Sequence, residues 1–126
     1  MVSIARWFFG TAILYGLLGM VLGLHMAMSQ DHGQMPTHAH IMVIGWLSFA
    51  VFGFFYHLFG DRVSRVLSAI HCVLAEVSLL GIVIGLLLFY GGNPEYEPIA
   101  AISSIAYAVS FLLFAIVAWP VFRQRS

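Results

Sequence analysis

Apolar residues run almost unbroken through four stretches, and the polar residues gather in three short gaps between them. The stretches cover about residues 7–28, 36–59, 63–89 and 98–122. Each meets the length of about 20 residues that a helix needs to cross a hydrocarbon core of ~30 Å. Gaps this short make consecutive helices antiparallel neighbours. The pattern therefore predicts an all-α fold: a four-transmembrane-helix up-down bundle forming a single integral membrane domain over residues 1–126. Pro36 suits a first helical turn, where its missing N–H costs nothing. Gly91-Gly92-Asn93-Pro94 is expected to end the third helix, and Pro98 to start the fourth. Gly19/Gly23 and Gly81/Gly85 have the small-residue spacing that lets helices approach closely. The first run is longer than the 7–15-residue core of a signal peptide, which favours a retained helix.

Composition agrees with the pattern. The chain is 62% hydrophobic and 8% charged, with a mean hydropathy of +1.00, as expected for residence among membrane lipid. Five arginines balanced by five acids leave no basic footprint for nucleic acid. The single cysteine, Cys72, lies in an apolar run and builds no disulfide framework. Charge adds orientation. Arg6 precedes the first helix, Arg62 and Arg65 lie in the second link, and Arg123 and Arg125 follow the fourth helix. The other two links carry only acids, Asp31, Glu95 and Glu97. The positive-inside rule then puts both termini in the cytoplasm. His38 and His40 enter the second helix at its outer end.

These two histidines are the main candidate chemistry. They lie two residues apart, so on a helix they point about 200° apart, at ~100° per residue. A pair so placed grips one metal poorly but can serve two sites on opposite flanks. No Cys, Asp or Glu accompanies it, and an imidazole-only set suits haem iron, or copper, better than zinc or a hard cation. Met42, Trp46 and Phe49 give the apolar surroundings of a porphyrin pocket. The competing reading is polar capping near the headgroups. His25, at comparable depth on the first helix, is the alternative ligand. His57, at the inner end, reads as an interfacial amphipath, and His32 as a loop residue. His71 lies in the inner half of the third helix, too deep to join the pair. Glu76, near mid-membrane, has either a proton-handling role or a packing role against Ser78, Ser103, Ser104 or Tyr107. The same choice applies to His71.

Residues 37–59, THAHIMVIGWLSFAVFGFFYHLF, resemble the tenth transmembrane helix of haem-copper (cytochrome c) oxidase subunit I. The likeness lies in the His-x-His opening, in Gly45, Ala50, Gly53 and Phe54, and in the cluster Phe55-Tyr56-His57. Residues 66–71, VLSAIH, resemble the start of that family's next helix. The chain then looks like one of the three four-helix arcs of subunit I, which implies a homotrimer that rebuilds twelve helices. The resemblance implies haem b, with His40 of one protomer and His38 of the next as iron ligands, in a bacterial inner membrane. It lacks the family's copper-ligand cluster and its oxygen-site pairing, so no complete oxygen-reducing site is expected. Iron held by two imidazoles has no open position and typically carries electrons.

The expected function is electron transfer, or redox or gas sensing, by a bis-His haem b, with an electron donor or acceptor as partner. A proton- or metal-handling transporter-like bundle using Glu76 and His71 is the alternative. A third reading is an assembly partner for a respiratory complex.

Overall fold

The computed structural model describes residues 3–123, and every element among them is helical. α1 covers Ile4–Ser29. The second span is composite: α2 (Met35–His40), a π-helical segment (Ile41–Leu47) and α3 (Ser48–Phe59) follow without a break. A turn of 3-10 helix at Gly60–Arg62 leads to α4 (Arg65–Tyr90), and another at Pro94–Tyr96 leads to α5 (Glu97–Arg123). The chain thus has four helices long and apolar enough to cross a membrane. Arg125, part of the charge pattern, lies outside the described residues.

Local chemistry explains the ends. α1 starts three residues before its apolar run because Ser3 Oγ accepts from Arg6 N–H at 3.2 Å, capping orphan donors. Ser64 does the same for α4, accepting from Leu67 N–H. α1 stops where Gln30 turns left-handed, at φ 61°. α4 ends at Gly91, and Gly92, at φ 100°, makes a turn that few side chains would tolerate.

Glycines set the packing. Gly16 faces Trp46, Gly19 faces Ile41 and Met42, Gly23 faces His38, and Gly53 faces Ala5 and Phe9. The falling partner numbers show that α1 and the second span run antiparallel in close contact. Gly81 against Ser103 and Gly85 against Ala100 do the same for α4 and α5. Both glycine pairs singled out by spacing are therefore at helix contacts.

The buried centre is aromatic and lies nearer the end where α1 starts and α5 stops. Phe8 packs edge-on against Phe49 and Phe52, with centroids 5.1 and 5.2 Å away. Phe114 of α5 closes the cluster against Phe52 at 4.7 Å. Long apolar side chains such as Leu17, Val21, Val77 and Leu112 stay on the outside. That is the arrangement expected when the surrounding solvent is lipid.

Candidate functional site

The π segment decides where the histidine pair faces. Along the second span the buried line runs through Thr37, Ile41, Gly45 and Phe49, a step of four residues. An α-helix repeats every 3.6, so an unbroken helix would carry the line from Phe49 and Gly45 to Met42 and His38. The wider i→i+5 ladder falls behind by about one residue, or ~100°. Thr37 and Ile41, 0% and 3% exposed, take the inward positions instead. His38 is one residue after the line and His40 one before it, so the two leave on opposite flanks. Without the π segment His38 would point into the bundle and His40 straight out of it.

Each ring is held by its Nδ1. His38 Nδ1–H donates to Gly19 O of α1 at 2.8 Å, and the ring lies over Gly23. His40 Nδ1–H donates to Pro36 O, one turn back, at 2.7 Å. Because a carbonyl only accepts, Nδ1 carries a proton in both rings, which in a neutral imidazole leaves the lone pair on Nε2. Among the described residues no protein hydrogen bond reaches either Nε2. His38 is half-buried and His40 exposed. The base of the pair is stiff: Thr37 Oγ1–H donates to Gln34 Oε1 at 2.7 Å, and Gln34 Nε2–H to Leu87 O of α4 at 3.0 Å.

The π segment has its own supports. Ser48 Oγ–H donates to Val43 O at 2.8 Å, and the Tyr107 phenol of α5 donates to Ile44 O at 2.9 Å. Gly45 lets the widened turn press on Tyr15, where an added Cβ would come within 3.0 Å of the Tyr15 Cβ.

The other candidates separate. His25 is exposed on α1, about 200° around the helix from Gly23, and so turned away from His38. His57 and His32 are exposed too. His71 is fully buried: the Tyr56 hydroxyl lies 2.8 Å from its Nδ1, and Phe8, Phe52 and Phe114 surround the ring at 4.8 to 5.1 Å. Its Nε2 has no partner, an exception to the usual satisfaction of buried polar atoms. Among the described residues Glu76 hydrogen-bonds none of Ser78, Ser103, Ser104 or Tyr107. Its carboxyl takes the Thr11 Oγ1–H bond of α1 at 2.7 Å, because its side of α4 faces α1 while α5 lies elsewhere. Thr11 lies seven residues into α1 and Glu76 eleven residues into α4, so depth counted along the chain does not single out Thr11. Glu76 also borders a groove of about 760 Å³ lined by Trp7, Tyr56, Ser68 and Cys72, which ends at Asp61. His71 does not line it.

Among the described residues no three His, Cys, Asp or Glu side chains converge as a bare metal ion would require. No family model, curated protein or solved structure matches the chain.

Proposed function

We propose that the protein is a membrane haem b protein that transfers electrons or senses redox state or a small gas, with His38 and His40 as iron ligands. The observation that carries this reading is the state of the two rings. Each Nδ1–H is anchored on a backbone carbonyl, which fixes the tautomer and leaves Nε2 free, the outer-shell arrangement that metal-bound imidazoles adopt. Copper is the secondary candidate for the same nitrogens.

Haem would supply one-electron chemistry; the chain's part is to hold the imidazoles, fix their tautomers and exclude water. Since His38 and His40 leave on opposite flanks, a single copy offers one ligand to each side. A homotrimer, with His40 of one protomer and His38 of the next on one iron, uses both. The likeness of residues 37–59 to the oxidase helix points the same way. In this reading both termini are cytoplasmic and the pair lies near the outer face of a bacterial inner membrane.

The test is an absorption spectrum of the purified protein, oxidised and reduced, with His38→Ala and His40→Ala beside it. A bis-imidazole spectrum lost in both variants is expected. A spectrum kept intact in both would refute the ligand assignment.

Proton handling at Glu76 is the second reading, favoured by the groove beside it. If the groove is wet, a cationic thiosulfonate labels Cys72 from the side of the termini in sealed vesicles. Labelling by lipophilic thiol reagents alone would refute this reading.

A further inference from the structure

The π segment does more than interrupt a helix. It converts an inward and an outward histidine into two flanking ones. A π turn is rare, and it survives only where the backbone groups it disturbs are satisfied elsewhere. Here two hydroxyls do this. Ser48 reaches back five residues to Val43 O, and Tyr107 comes across from α5 to Ile44 O. The Tyr107 phenol is the only one of the two that comes from another span. It is 7% exposed, so water does not substitute for it readily.

We propose that Tyr107 is the positioning residue of the histidine pair: by pinning Ile44 O to α5 it holds the π segment in place and so sets the direction in which His38 and His40 leave the bundle. Tyr107 touches neither imidazole. It acts through Ile44, four residues beyond His40 and at the middle of the segment. The consequence for haem rests on the reading above; the rotation of the turn does not.

The experiment is Tyr107→Phe in the full chain, which keeps the ring and removes the oxygen. Two readouts are taken. The first is haem affinity with the low-spin electron paramagnetic resonance signal of the ferric protein. A fall in haem affinity of about two- to tenfold, the worth of one hydrogen bond, with shifted g-values is expected, while helical circular dichroism stays constant. The second is independent of haem. In a Cys72→Ser background, a nitroxide on His40→Cys reports collision with dissolved oxygen, which concentrates in hydrocarbon. Tyr107→Phe is expected to raise that collision rate as position 40 turns outward. If the parent binds no haem, the haem reading fails and the nitroxide alone decides. An unchanged collision rate overturns the proposal, and so does an unaltered resonance signal with unaltered affinity in a haem-binding parent. If Tyr107→Phe does not fold, Tyr107→Met and Tyr107→Leu, which also lack the phenol oxygen, are judged by the same two readouts.

Discussion

Gly23→Ala tests the histidine pair without touching either ligand. An added Cβ at Gly23 would stand 3.0 Å from His38 Cε1, about 0.4 Å inside ordinary van der Waals contact. The ring must shift by that amount. Nδ1 is bonded to Cε1, so the movement is spent on the 2.8 Å bond to Gly19 O. A hydrogen bond of this kind contributes about 0.5–1.5 kcal/mol net. The shift stretches it to about 3.2 Å at most, so the weakening in haem affinity is expected to stay within the range of about two- to tenfold that full loss of the bond would give. Alanine also favours the helix by about 1 kcal/mol over glycine, so the variant is not expected to lose helical content. Gly16→Ala is the matched control. Its Cβ would meet the Trp46 ring at 3.3 Å, a similar crowding with no ligand involved. Titration of the apoprotein with haemin gives the affinities. Equal affinity and an identical spectrum in parent, Gly16→Ala and Gly23→Ala would show that His38 does not hold the iron in the position described.

Two further outcomes follow from the packing. Tyr56→Phe leaves both His71 nitrogens without partners in a fully buried site, so it should cost about 1–3 kcal/mol of unfolding free energy in mixed micelles. Tyr56→Phe with His71→Phe should cost less than the sum of the two single changes, and strict additivity would show that the bond is not formed. Gly85→Ala drives a Cβ to 2.7 Å from the Ala100 backbone nitrogen and is expected to destabilise by about 1–3 kcal/mol, whereas Gly10→Ala, with nothing within 4 Å, should be neutral or slightly stabilising. Equal melting temperatures for the two glycine variants would contradict the close approach of α4 and α5.

What the chain dictates locally is what could be read along it. Hydrophobic run length depends only on the bilayer being a poor solvent for polar groups, so the four spans need no tertiary information. Caps and stops are equally local, as Ser3, Ser64 and the Gly91–Gly92 turn show. Small-residue spacing identified Gly19, Gly23, Gly81 and Gly85, because close approach requires the absence of a side chain wherever the partner lies.

Facing is another matter. Depth in a membrane follows from counting residues, but the partner of a polar group depends on how each helix is rotated. Sequence alone offers Glu76 the hydroxyls of α4 and α5, and it bonds Thr11 of α1 instead. Sequence alone offers His71 no particular partner, and it lies against Tyr56. The histidine pair is the sharpest case. Its two-residue spacing fixed the angle between the imidazoles, since that angle belongs to one turn of helix. Its direction relative to the bundle came from the π segment, which a phenol 63 residues further along the chain helps to hold at Ile44. Local sequence sets angles within a turn, while contacts between spans set the rotation of that turn, and for His38 and His40 the rotation separates one inward and one outward imidazole from two that leave on opposite flanks.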